Sequence, residues 1–135
     1  MKTYLGHLQV NIHTSHLGFY KELFDFLGWK TLYDDENMLG VGCETGSSLW
    51  FCSPLKDLAN DYDGIGMNHL GIAVEKQGDV DQAVEYLKKH NITALFNTPC
   101  HRPEFSGPES TYYQVMFESP DRILFEVVYT GPKDK

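Results

Sequence analysis

An α+β fold of two βαβββ modules sharing one core is predicted by three features of the 135-residue sequence: a strand-like alternation that occurs twice, a helical apolar stripe after each, and three extended pieces after each stripe. The first alternation sets Leu8, Val10 and Ile12 against His7, Gln9 and Asn11, the period of a strand with one apolar face. Tyr20, Leu23, Phe24 and Leu27 then fall at i, i+3, i+4 and i+7, and Gly28 follows as a stop signal. Residues 31–33, 38–41 and 47–52 read as extended, separated by turn formers at 34–37 and 44–46. A polar stretch, 53–66, precedes the second copy. There Leu70, Ile72 and Val74 alternate with His69, Gly71 and Ala73, and Val80, Ala83, Val84 and Leu87 form the stripe. Asn91 takes the place of the helix-ending glycine, and 93–95, 112–117 and 123–129 read as extended. His7 and His69 are 69 − 7 = 62 residues apart, one supersecondary unit per copy. The organisation is a single domain, with module one at about 1–55, a linker at about 56–66 and module two at about 67–130. The charged tail 133–135 is expected to fray.

The balance of 11 Lys and Arg against 19 Asp and Glu, −8 in all, speaks against nucleic acid or an anionic membrane as a partner, since both are met through clustered basic residues. No run approaches the ~20 apolar residues of a membrane span, and residues 1–6 lack a signal-peptide stretch, so a cytoplasmic location is expected. Cys43, Cys52 and Cys100 have no paired spacing and are expected to be buried free thiols.

His7 and His69 open equivalent strands on the face opposite the apolar stripe, and Gly71 and Ala73 leave room beside His69. For each histidine alone, a solvated outer face is the plain alternative. Glu126 interrupts Ile123-Leu124-Phe125 and Val127-Val128, so a cation or strong donor is expected opposite it. That partner is either an arginine, Arg122 or Arg102, or a metal shared with two histidines. Two imidazoles and one carboxylate suit Fe(II), Mn(II), Ni(II) or Zn(II) and leave open coordination positions. His13 and His16 read as polar loop residues, and His90 as a helix-end residue. The segment 97–110, with three prolines and Gly107, is long for a hairpin connection and is a candidate lid, where Arg102 would bind a substrate anion and Phe105 would cover an apolar part. Tyr112, Gln114 and Met116 share one strand face and Tyr113, Val115 and Phe117 the other; both faces remain candidates to line a cavity.

Four segments together resemble the glyoxalase/bleomycin-resistance/extradiol-dioxygenase (vicinal oxygen chelate) superfamily along essentially the whole chain. They are Gly6-His7-Leu8-Gln9-Val10-Asn11-Ile12; Phe19-Tyr20 with Phe26-Leu27-Gly28-Trp29; Asn68-His69-Leu70-Gly71-Ile72-Ala73-Val74; and Ser119-Pro120-Asp121-Arg122 with Glu126. The resemblance implies two paired βαβββ modules forming a curved mixed sheet around a cavity, and a divalent metal ion (Fe, Mn, Ni or Zn) on His7, His69 and Glu126. It implies a homodimer and a metal-dependent enzyme acting on a small oxygen-chelating substrate, lactoylglutathione lyase-like or dioxygenase-like, with Glu126 also moving protons. Gln9, Trp50, Phe51, Arg102, Tyr112 and Tyr113 are the candidate substrate-binding residues. The superfamily's drug-sequestering members imply an alternative, ligand binding without chemistry, and its fosfomycin-inactivating thiol transferases imply another. Three departures matter. The additional metal-binding glutamate of glyoxalase I has no counterpart here, because the place equivalent to Glu126 falls near Trp50 or Phe51. Gln9 stands where the fosfomycin proteins carry threonine, and Arg122 replaces a turn glycine, so a changed turn is expected.

Overall fold

A computed structural model describes residues 1–134, which divide into two compact units, Met1–Ala59 and a second from Asn60 onward. The first contains β1 (His7–Asn11), a 3-10 turn (Thr14–His16), α1 (Leu17–Phe26), β2 (Lys30–Asp34), β3 (Met38–Gly42) and β4 (Ser48–Cys52). Its sheet runs β1-β4-β3-β2, with β1 parallel to β4 and the other pairs antiparallel. The predicted alternation decides the faces: Val10 and Ile12 are buried, whereas His7, Gln9 and Asn11 are exposed. α1 buries Tyr20, Leu23 and Phe24, and the Tyr20 ring stacks on Phe51 at 4.4 Å. Gly28, at φ 84°, ends α1; its N–H donates to Asp25 O and that of Trp29 to Phe24 O, the paired closure that a left-handed residue permits.

The second unit repeats the plan with β5 (Leu70–Val74), α2 (Gln77–Lys89), β6 (Leu95–His101), a 3-10 turn (Pro103–Phe105), β7 (Ser110–Glu118) and β8 (Leu124–Pro132). Its sheet order is β5-β8-β7-β6, again with one parallel pair, β5 and β8. Val80, Ala83 and Leu87 of α2 are buried, as are Val115, Phe117, Phe125 and Val127 of the sheet, with Phe117 stacked on Phe125 at 5.6 Å. Asn91, at φ 57°, closes α2 as Gly28 closes α1: its N–H donates to Lys88 O and that of Ile92 to Leu87 O.

Several expectations are corrected. The stretch expected to be a lid from residue 97 is in part strand, because β6 continues to His101. It does so through a bulge: Leu95 pairs with Met116 and Cys100 with Gln114, and the intervening Phe96 and Asn97 adopt φ of 56° and 57°. Thr98 secures the bulge by donating from Oγ1 to Leu95 O and accepting the Met116 N–H. The polar stretch 53–66 is not connection alone, since Asn60 Nδ2 donates to Arg122 O and Tyr62 is buried with Met116 and Leu124. The Tyr62 hydroxyl donates to Glu118 at 2.5 Å, and the Arg122 guanidinium lies 4.9 Å above its ring. Arg122 itself takes φ 60°, so the turn expected to change keeps the left-handed residue a glycine would supply. All three cysteines are free, but Cys52 alone is buried and Cys43 and Cys100 are half-buried. The Asp134 N–H donates to Gln77 Oε1, and Lys135 of the expected fraying tail lies outside the described residues. Among the described residues no helix is long and apolar enough to cross a membrane.

Candidate functional site

A cavity of about 690 Å³ opens on the face of the second sheet opposite α2. Strand register brings its key residues together. Gly71 of β5 and Met116 of β7 both pair with Glu126 of β8, so their side-chain positions share one face. Tyr112 and Gln114 follow on that face at alternate positions of β7, and His69 stands immediately before β5. Gly71 keeps the space open, because a Cβ there would come within 3.2 Å of Glu126 Oε1.

Glu126 is 3% exposed, and the donors opposite it are neutral side chains and not the arginine expected. The Tyr112 hydroxyl lies 3.0 Å from Oε1 and 2.9 Å from Oε2, donating to the carboxylate, and Gln114 Nε2 donates to Oε2. His69 Nε2 stands 3.6 Å from Oε1. Neither arginine pairs with Glu126 directly. Arg122 belongs to the Tyr62 contact, whereas Arg102 acts through Gln114: its Nε donates to Gln114 Oε1 at 2.9 Å and its Nη2 to Phe96 O at 2.9 Å. The guanidinium therefore fixes the Gln114 amide with its NH2 toward Glu126, since a guanidinium offers donors only. Burial, then the hydrogen bond to Glu126 and the charge of that carboxylate, push the Tyr112 hydroxyl up to about 12.

A second amide orients His69. Asn68 Nδ2 donates to Tyr62 O at 3.0 Å, which turns Asn68 Oδ1 toward His69 Nδ1 at 2.7 Å. The amide oxygen only accepts, so Nδ1 carries a proton, and the tautomer this selects for a neutral ring has its lone pair on Nε2. A histidine held in this way by a carbonyl-type acceptor is prepared as a metal ligand. The 3.6 Å between Nε2 and Oε1 is less than twice a metal–ligand distance of ~2.1 Å, so both atoms can reach one ion. The donor set therefore fits a divalent ion with two ligands from this unit. Among the described residues no three His, Cys, Asp or Glu side chains form a metal-holding group.

The other candidates are placed as follows. Arg102 and Tyr112 line this cavity, as do Phe96 and Phe105. Tyr113 does not: it occupies the other face of β7, where its hydroxyl donates to Asp81 of α2 at 2.6 Å. Burial, then the Asp81 hydrogen bond and charge and the nearby Cys100, push that hydroxyl up to about 12. Within the first unit, His7, Gln9 and Trp50 line a cavity of about 490 Å³ together with Met38, Ser48 and Cys52. Phe51 is fully buried in the core against Tyr20 and Phe24, so it is a packing residue and not a cavity residue. Tyr62, Asn68 and Phe96 are among the cavity positions that sequence reasoning missed. For the first two the signals were an aromatic residue inside an otherwise polar stretch and an amide preceding His69.

No family model and no curated protein matches the sequence. Solved structures do match the fold. A candidate glyoxalase from Bacillus halodurans superimposes with a TM-score of 0.76 at 23% identity, over 93% of this chain and 94% of that one. A glyoxalase/bleomycin resistance protein/dioxygenase from Alicyclobacillus acidocaldarius gives 0.64 at 18% identity, over 93% and 90%. A lactoylglutathione lyase from Agrobacterium tumefaciens gives 0.64 at 12% identity, over 95% and 94%. With two four-stranded mixed sheets in two βαβββ units, the chain has the fold of the glyoxalase/bleomycin-resistance/dioxygenase proteins.

Proposed function

We propose that this chain is a cytoplasmic, metal-dependent enzyme of lyase, isomerase or dioxygenase type, acting on a small substrate that offers two adjacent oxygens. The observation that carries the reading is the orientation of His69 Nε2 toward Glu126 Oε1, with Asn68 and Gln114 holding the two side chains from behind. The sequence resemblance adds His7 as a third ligand. A bound divalent ion would supply Lewis acidity at the substrate oxygens. Gln114 engages Oε2 alone, whereas Tyr112 reaches both oxygens, so Oε1, facing His69, is the oxygen that would exchange a ligand or a proton. Tyr112 stays protonated at neutral pH and donates to whichever carboxylate oxygen is free.

The test is titration of tag-free protein with Fe(II), Mn(II), Ni(II) and Zn(II), read by calorimetry and metal analysis. Near-stoichiometric binding that is lost in His69→Ala and Glu126→Gln is expected; no binding of any of the four ions, or equal binding by the variants, removes the reading. A homodimer is part of the same proposal, and a monomer mass by light scattering contradicts it.

One observation favours a second reading, a sequestering protein without chemistry. Tyr112 and Gln114 already satisfy Glu126, so the carboxylate requires no cation, and aromatic walls alone would hold a ligand. Tight binding by metal-free protein, with unchanged ligand recovered, would support that reading over the first.

A further inference from the structure

We propose that the cavity of the second unit takes a small monoanion with a flat apolar body, its anionic oxygens on Arg102 and its apolar part against Phe96 and Phe105. This names the substrate class of the site proposed above and rests on that reading for the reaction.

Three observations converge. Among the described residues lining the cavity, Arg102 is the one Lys or Arg, and it is immobilised: Nε is bound to Gln114 and Nη2 to Phe96 O. Of its five N–H groups these engage two, and among the described residues Nη1 has no acceptor. A guanidinium fixed along one edge offers its remaining N–H groups at little further entropic cost, which suits a carboxylate or phosphonate.

Phe96 and Phe105 are 51% and 63% exposed, although both line the cavity. Large aromatic side chains left in water beside a fixed cation have apolar surface for a ligand to cover. Phe105 is steadied by an edge-to-face contact with Tyr112 at 5.3 Å.

Phe96 also holds a left-handed backbone, φ 56°, which is unfavourable for a bulky residue. The bulge that imposes it brings the Phe96 carbonyl to Arg102 and its ring to the cavity. This left-handed residue therefore positions both groups the ligand would meet, the Arg102 guanidinium through its carbonyl and the Phe96 ring itself. Asp63 and Glu104 also line the cavity, and their charge limits the ligand to one anionic group, seated at the guanidinium.

The test compares 3-phenylpropanoate with its uncharged amide, 3-phenylpropanamide, and with 3-phenylpropylamine, by calorimetry on the full chain with and without Mn(II). The acid is expected to bind at least about tenfold more tightly than the amide or the amine. Arg102→Met is expected to remove that preference while the amide changes by less than about twofold, and Arg102→Lys to keep a preference of about threefold. Phe105→Ala, at an exposed position, is expected to weaken acid and amide alike by about three- to tenfold. A variant that had merely lost its fold would lose the amide as well. Equal binding of acid and amide, preference for the amine, no saturable binding of any probe up to ~10 mM, or an Arg102→Met protein that discriminates as the parent does, each overturns the proposal. Mn(II) binding without acid preference removes this inference and leaves the metal reading intact. Acid preference lost in Arg102→Met, in a protein that binds no metal, does the reverse.

Discussion

The first and second units carry different chemistry at one matching register position. Trp50 on β4 pairs with Gln9 of β1 and Gly40 of β3; Glu126 on β8 pairs with Gly71 of β5 and Met116 of β7. In the first unit the glycine lies on the antiparallel neighbour, and the Trp50 ring occupies the space above it, its indole N–H bonded to Ser48 Oγ at 3.0 Å. In the second, the glycine lies on the parallel neighbour and leaves room beside a carboxylate. One backbone plan thus presents either an aromatic side chain or an anchored carboxylate, according to a single side chain and the strand on which its neighbouring glycine falls. The supporting residues differ accordingly. Glu126 has Tyr112, Gln114 and, behind them, Arg102, whereas Trp50 needs one hydroxyl.

The contrast is most directly challenged by metal titration. His69→Ala or Glu126→Gln is expected to weaken Mn(II) binding by at least about 100-fold in calorimetry, and equal affinity in parent and variants would end the chemical distinction between the units. The two glycines come next. Gly40→Ala is expected to cost about 1–3 kcal/mol in urea unfolding, because the new Cβ collides with the Trp50 ring. Gly71→Ala is expected to cost less than about 1 kcal/mol, since its Cβ meets only one carboxylate oxygen, yet to weaken metal binding about tenfold. The reverse ranking in stability would contradict the account.

Alkaline pH bears on both units, since the hydrogen bond to Asp35 also raises Tyr33 of the first, but the largest shifts lie in the second. Tyr112 and Tyr113, both in the second unit, are raised to about 12. Between the unfolded value of ~10 and the folded one, the native state holds protons that the unfolded chain has released. Their stabilisation is therefore complete below pH ~10 and is lost as pH rises toward about 12. The urea midpoint should fall across that window, and the fall should flatten in a protein carrying Tyr112→Phe and Tyr113→Phe. The smallest effects are at the helix ends. Gly28→Ala is expected to cost about 1 kcal/mol, while Asn91→Gly stays within about 0.5, as the two positions hold the same left-handed closure with different residues.

Much of this was legible in the sequence because it follows from local periodicity. The alternation around Val10 and Ile72, the stripes ending at Leu27 and Leu87, and the oddity of Glu126 within an apolar run all depend on near neighbours along the chain. What escaped depends on distant pairing. Tyr112 and Tyr113 are equivalent as letters, and only the register of β7 with β8 assigns one to Glu126 and the other to Asp81. The place equivalent to Glu126 falls near Trp50 or Phe51, and only the pairing of Trp50 with Gln9 and Gly40 decides it, leaving Phe51 in the core against Tyr20. β6 was obscured by Asn97 and Pro99, residues that usually terminate strands and here lie in a bulge. Tyr62 was missed because its partners, Glu118 and Arg122, lie more than fifty residues away.

That bulge also makes the cavity wall replaceable. Thr98 Oγ1 receives the Met116 N–H that β6 would otherwise have to satisfy, so residues 96–99 leave the ladder without stranding that donor. Side-chain changes at Phe96 and Asn97, which leave Thr98 Oγ1 and the Phe96 carbonyl in place, do not enter the pairing of β5 with β8. On the proposed reading, substitution at Phe96 alters ligand choice while His69 and Glu126 stay where they are.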